Sequence, residues 1–246
     1  MRVLIALGFL LILTGIIIFL FYVPSLRISR VQITGLSIAD EKELRTEILT
    51  ALSSRRYLII PKDHLVLFQR KEIETLLSNK FRVKQFDLKK DFPSGLKIVL
   101  SERETWAVWC RASNLENCFL IDQGGVVFEK AAGFAGSAVL KIIDARDEDF
   151  LGKNVLPNQS FEKISLFREW IKDQVGEEIR KVNIKSSGKT FLLYTRAGWY
   201  VLIDDETDIT KAIENLVLGL SEIKEGRSKL EYIDLRFPDK IFYKFK

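Results

Sequence analysis

Val3 to Val23, VLIALGFLLILTGIIIFLFYV, is an unbroken run of 21 residues without a charge. As a helix rising about 1.5 Å per residue it would measure about 31 Å, close to the roughly 30 Å hydrocarbon core of a bilayer. Gly8, Thr14 and Gly15 are tolerated in membrane helices, and Tyr22 at the outer end suits a headgroup region. The run therefore predicts a transmembrane anchor over residues 1–24, followed by a water-facing part. Two other readings compete with it. A cleaved signal peptide ending near Val23-Pro24-Ser25 would ordinarily carry an apolar region of only about 7–15 residues. A buried core helix rarely presents so long an apolar run at a terminus. Flanking charge leaves the orientation open, since Arg2 and the terminal amine precede the run while Arg27 and Arg30 follow it.

Beyond Pro24 the 246-residue chain has globular composition and is long enough for one large or two ordinary domains. A net charge of +5 without a dense basic run argues against nucleic-acid binding. One His and two Cys supply no metal motif, so neither metal nor cofactor is expected. Catalysis is not expected either. There is no Gly-x-Ser-x-Gly elbow, and His64 lies beside an apolar run. Glu102 and Glu104 would share a strand face as an acid pair or, more commonly, as solvated side chains. Gly124-Gly125 reads as a hairpin turn, because no helix follows it to cradle a phosphate.

Cys110 and Cys118 lie at the inner ends of two apolar runs with RASNLEN between them, the pattern of two antiparallel strands joined by a polar loop. Outside the cytosol a disulfide could close that loop; two reduced, buried thiols are the alternative. The absence of CxxC spacing argues against redox or metal chemistry.

Ile28, Val31 and Ile33 mark a strand ending at Gly35. Asp40, with Glu43 three residues later, predicts a capped helix bearing Leu44, Ile48, Leu49 and Leu52 at helical spacing. The apolar segment YLIIP stops at Pro61. A second helix is expected from about Lys62 or Arg70 to Lys80, with Ile73, Leu76 and Leu77 on one face. A hairpin follows, turning at Phe92-Pro93-Ser94-Gly95, with Leu96, Ile98 and Leu100 alternating. Further on, Ser160 is expected to cap a helix through Val175 whose stripe is Phe161, Ile164, Leu166, Phe167, Trp170 and Ile171. Strands IRKVNIKS and TFLLYTRAGWYVLID turn at Ser187-Gly188 and Ala197-Gly198. A last helix is expected over about Asp208–Lys224, and a last strand over Lys240–Phe245.

The β-α-α-β-β order from Ile28 to Glu102, directly after an apolar helix, resembles a POTRA domain. The stretch KKDFPSGLKIVLSERETWAVW is similar to the POTRA exit of the FtsQ/DivIB cell-division proteins, with Lys90, Phe92, Pro93, Leu96, Ile98, Glu102, Ala107 and Trp109 at the family's places. Thr105-Trp106 stands where the family usually has a proline. An Asp-x-Gly turn in DQGGVVF follows the Trp-bearing strand, and Ile233-Asp234-Leu235-Arg236-Phe237 carries the most specific motif of the resemblance. Met1-Arg2 is shorter than the family's usual cytoplasmic tail, so either that tail is dispensable or the true start lies upstream.

The resemblance implies an α+β chain with a transmembrane helix over 1–24, a POTRA domain over 25–102 and a mostly antiparallel β domain with two helices over 103–246. It implies a single-pass protein of the cytoplasmic membrane, its N-terminus in the cytoplasm and its bulk outside, enriched at the division septum. There it would recruit FtsB/DivIC-type and FtsL-type partners by strand addition. The partner-binding residues it implies are Arg236, Phe237, Asp239, Lys240, Ile241, Phe242, Tyr243, Lys244 and Phe245. The residues themselves offer a physical basis, because an edge strand presents unpaired backbone groups. Ile241, Tyr243 and Phe245 would point one way and Phe242 and Lys244 the other, leaving one aromatic face as an anchor or both as core. A different class of protein, a POTRA-bearing translocation or outer-membrane assembly factor, would continue into a β-barrel for which the chain has no room.

Overall fold

A computed structural model describes residues 2–21, 23–36, 41–56, 60–131, 139–146, 148–223 and 226–246. They fall into two compact units, Met1–Arg103 and Glu104–Lys246.

The first unit begins with helix α1 (Arg2–Phe21). The contiguous part of α1 whose side chains are described is Ile5–Ile16, about 18 Å at 1.5 Å per residue. Among the described residues no helix is long and apolar enough to cross a membrane. That finding overturns the expected transmembrane anchor: an uncharged run of the right length in the sequence does not amount to a spanning helix in the described structure.

Strand β1 (Arg30–Thr34), helix α2 (Glu41–Ser53), the short strands β2 (Arg55–Arg56) and β3 (Ile60–Pro61), helix α3 (Arg70–Ser78), and strands β4 (Val83–Asp91) and β5 (Gly95–Glu102) follow. The expected Asp40 cap and the Tyr57–Ile59 part of YLIIP lie outside the described residues. β5 takes the centre of a three-stranded sheet ordered β1-β5-β4, parallel to β1 and antiparallel to β4. Leu96, Ile98 and Leu100 point from it into a core with Val31, Ile33, Leu44, Ile48, Leu52, Ile73 and Leu77. Leu49, which the helical spacing also selects, is exposed; it lies about 100° from Ile48 around α2 and misses the sheet.

The second unit is built on a nine-stranded sheet. Its strands are β6 (Ala107–Arg111), β7 (Asn114–Ile121), β8 (Val127–Lys130), β9 (Leu140–Asp144), β10 (Ile179–Ile184), β11 (Thr190–Thr195), β12 (Tyr200–Asp204), β13 (Leu230–Asp234) and β14 (Phe242–Phe245). They are ordered β14-β13-β12-β11-β10-β9-β6-β7-β8. The sheet is mixed: β6–β7, β7–β8, β10–β11, β11–β12 and β13–β14 pair antiparallel, whereas β6–β9, β9–β10 and β12–β13 pair in parallel. Two of these junctions need crossovers, because parallel neighbours cannot be joined by a tight hairpin. Helix α4 (Asn158–Trp170) links β9 to β10, and helix α5 (Ile209–Glu222) links β12 to β13. Both helices bury their apolar sides on one sheet face, where Phe161, Ile164, Phe167, Leu216 and Leu220 pack against Trp109, Val182, Leu193, Val201 and Ile233.

α4 starts after Pro157, three residues before the position a Ser160 cap would give. Ser160 is inside the helix and donates its hydroxyl to Asp205 at 2.8 Å. Leu166 is exposed and leaves the expected stripe. α5 opens at Asp208, whose carboxylate accepts from the N–H groups of Thr210 and Lys211. Its expected last residue, Lys224, lies outside the described residues.

Candidate partner-binding edge

Each end of a sheet leaves one row of backbone groups unpaired, and the two ends of this sheet differ. On the β8 side Val127 donates its N–H to Lys153 and accepts from Gly152 through its carbonyl, so a loop covers the edge. On the β14 side no described segment does so. Lys246 donates its N–H to the Lys229 carbonyl at 2.8 Å. Inward and outward pairs alternate along an antiparallel ladder, and the one register irregularity lies in β13, between Leu230 and Tyr232. Phe242 and Lys244 therefore share the inward orientation of Lys246, whereas the N–H and C=O groups of Tyr243 and Phe245 face the open edge.

The sequence around the edge fixes its position. Leu235 is buried and donates its N–H to Leu202, continuing the parallel pairing of β13 with β12. Asp234 then holds Arg236 in a two-pronged clamp, with Nε on Oδ1 at 2.9 Å and Nη2 on Oδ2 at 2.6 Å. The hydrogen bond to Asp234 is the main cause of the raised Arg236 pKa, with burial opposing it and the charges of Asp234 and Asp204 adding to it. Arg236 reaches toward the Phe237 ring, 5.9 Å from its centroid, and Phe237 meets Phe242 edge to face at 5.2 Å.

The turn is tied down by Asn215 of α5, which donates its side-chain amide to the Pro238 carbonyl at 3.0 Å. Asp239 and Lys240 belong to this turn, with the Lys240 N–H reaching the Phe237 carbonyl, so the regular strand begins two residues later than the sequence suggests. Ile241 packs against the core beside Gly219. Tyr243 and Phe245 meet at 5.5 Å on the same side, and Lys244 on the opposite side pairs with Glu231 at 2.6 Å.

Of these side chains only Ile241 packs against the core. Phe237 (46%), Phe242 (50%), Tyr243 (50%) and Phe245 (42%) all stay exposed, so aromatic surface is open on both faces of β14. Alternation leads one to expect one face buried, but an edge strand one step outside its helix stays largely open on both, with Phe245 only partly covered beside Gly226. Such aromatics beside free backbone groups can accept an incoming strand and anchor its side chains.

Cys110 and Cys118 sit directly across from each other on β6 and β7 and form a disulfide. The bridge lies in a small cluster with Val108, Leu120, Phe128 and Ala131, separate from the main core.

Sequence reasoning missed the second Asp-x-Arg clamp. Asp144 at the end of β9 binds Arg146 through the same two prongs, at 2.9 and 2.6 Å. There Arg146 also donates to the Val155 carbonyl, and Trp109 donates its indole N–H to Asp144. That clamp is internal; the Arg236 clamp stands open at the edge. The repeat of Ile-Asp-x-Arg at 143–146 and 233–236 is a signal the sequence did contain. No protein-family model matches this chain, and no curated protein matches it.

Proposed function

We propose that this chain is a non-enzymatic scaffold of bacterial cell division, of the FtsQ/DivIB kind, which captures a partner by strand addition at β14. The observation that carries the reading is the uncovered β14 edge, where free backbone groups of Tyr243 and Phe245 stand among four exposed aromatics. Main-chain pairing supplies affinity in this mode, and side-chain pockets supply selectivity. The partner in this reading is an FtsB/DivIC-type segment acting with an FtsL-type protein at the septum. The β-α-α-β-β part of the first unit serves as a POTRA-type recruitment module. The Cys110–Cys118 bridge favours work outside the cytosol, where disulfides persist.

The test deletes Lys240–Lys246 from the chain and measures binding to the extracytoplasmic segment of an FtsB/DivIC-type partner by calorimetry, with circular dichroism on both proteins. A folded deletion variant is expected to lose binding. Full binding by that variant would place the interface elsewhere.

A further inference from the structure

The sheet face opposite α4 and α5 carries a single row of side chains across six adjacent strands. In register they are Lys141 on β9, Lys181 on β10, Tyr194 on β11, Tyr200 on β12, Tyr232 on β13 and Lys244 on β14. We propose that this row is a docking track for an acidic, extended polypeptide segment whose carboxylates meet Lys141 and Lys181. Its cationic end, Lys181 and Lys141, lies four and five strands away from β14, and the proposal does not rest on strand addition at that edge.

Three observations lead to an acidic peptide. The first is charge. Lys141 and Lys181 are direct cross-strand neighbours, an arrangement that repels. Among the described residues neither is paired with a carboxylate. Lys181 instead sits over the Tyr194 ring, 3.9 Å from its centroid. Two acids beside the row are already engaged, Glu231 by Lys244 and Asp234 by Arg236. The row therefore offers two half-buried cations awaiting negative charge.

The second observation is the orientation of the rings. Tyr194 and Tyr200 stand 4.8 Å apart with planes 37° apart, and Tyr200 and Tyr232 stand 5.5 Å apart with planes 28° apart. The rings face one another along the row. A sugar or a base stacks on an outward-facing ring, and these faces are occupied by their neighbours. What the half-buried row offers is the hydroxyl-bearing edge, a line of hydrogen-bond donors suited to carboxylate and carbonyl oxygens. Burial raises the pKa of Tyr194, and burial with the neighbouring Tyr194 and Glu231 raises that of Tyr200, which keeps both phenols protonated as donors.

The third observation is length. Five strand spacings of about 4.8 Å make the row about 24 Å long, the reach of about seven extended residues.

The experiment uses the full chain and a fluorescein-labelled octaglutamate, read by fluorescence anisotropy, with labelled polygalacturonate as the anionic-glycan arm. Octaglutamate is expected to bind and to weaken as salt is raised. Lys141→Gln with Lys181→Gln should weaken it about tenfold or more, equivalent to about 1.4 kcal/mol. Tyr200→Phe with Tyr232→Phe should weaken it severalfold without altering the salt slope. Lys84→Gln with Lys97→Gln, two exposed lysines of the first unit, should leave it unchanged. The lysine pair on the row should not lower the melting temperature, because its removal relieves a repulsion. The proposal is overturned if octaglutamate fails to bind, if the control pair weakens binding as much as the row pair, or if only polygalacturonate binds with this dependence on the row.

Discussion

Phe245 packs against Gly226 so closely that a Cβ at position 226 would stand 2.8 Å from its ring Cε1. The glycine thereby sets where the outermost aromatic of β14 lies. The obstacle is the far end of a flexible side chain, which can turn to another rotamer at a cost of order 1 kcal/mol. Gly226→Ala should therefore displace the Phe245 ring while changing unfolding stability by less than about 1 kcal/mol. If the β14 edge takes a partner strand with Phe245 as an anchor, the variant should bind about tenfold or more weakly, in line with the loss of a well-seated aromatic. Urea unfolding and partner calorimetry on the same preparation separate the two effects.

Proline substitution distinguishes the outer and inner sides of the β14 ladder. The Tyr243 N–H faces the open edge, whereas the Lys244 N–H faces β13. Proline removes the donor in either case. Tyr243→Pro should abolish strand addition with the sheet retained, and Tyr243→Ala, which keeps the donor, should bind better than Tyr243→Pro. Lys244→Pro should instead break the β13 pairing and cost about 1–3 kcal/mol of stability. Circular dichroism melts beside binding isotherms give the comparison; equal stability losses at 243 and 244 would contradict the assigned ladder.

The Cys110–Cys118 bridge spans a sequence separation of eight residues. Chain-entropy reasoning gives a loop of that size about 2.5 kcal/mol. For a unit of this size that corresponds to a fall of about 5–10 °C in melting temperature on reduction. Cys110→Ala with Cys118→Ala should reproduce the fall without preventing folding, since the main core under Trp109 lies on the other sheet face. Differential scanning calorimetry with and without reductant reads it directly.

How far each element can be read from the sequence depends on how local its determinants are. Leu96, Ile98 and Leu100 are recognisable as one strand face because period two and the Pro-Ser-Gly turn lie within a few residues of each other, and all three are buried. Asp208 is equally local, a side chain capping its own helix. The start of α4 is not: Ser160 has the chemistry of a cap, but its hydroxyl is taken by Asp205, 45 residues away. The 21 uncharged residues at the N-terminus state a composition, and composition does not decide whether a helix spans a membrane. At the candidate edge, the aromatics of 237–245 are legible as a cluster, but their exposure on both faces depends on β14 lying outside the cover of α5. The tyrosine row is the least legible feature. Tyr194 and Tyr200 face each other across one hairpin, but Tyr232 joins them only through the parallel crossover of α5, which no local pattern encodes.

The two Asp-x-Arg clamps share their geometry and differ in surroundings, which predicts opposite consequences for the same mutation. Asp144 is fully buried and neutralises Arg146, whose side chain is 17% exposed, while also accepting from Trp109. Asp144→Ala would leave a guanidinium and an indole N–H without their acceptor in the interior, a change that costs about 3–5 kcal/mol when a buried pair is broken. Arg236 is 34% exposed, so its pairing with Asp234 is screened by water. Asp234→Ala should cost only about 1 kcal/mol of stability. Its effect should appear instead at the edge, where Arg236 loses the support that points it toward Phe237 and the aromatic pair at Phe242. Chemical denaturation should therefore rank Asp144→Ala far below Asp234→Ala in stability. Partner binding measured on the folded Asp234→Ala protein should fall, and Asp234→Asn, which retains one acceptor for Arg236, should recover part of it. Unchanged binding in Asp234→Ala would remove Arg236 from the site and leave only the backbone and aromatics of β14.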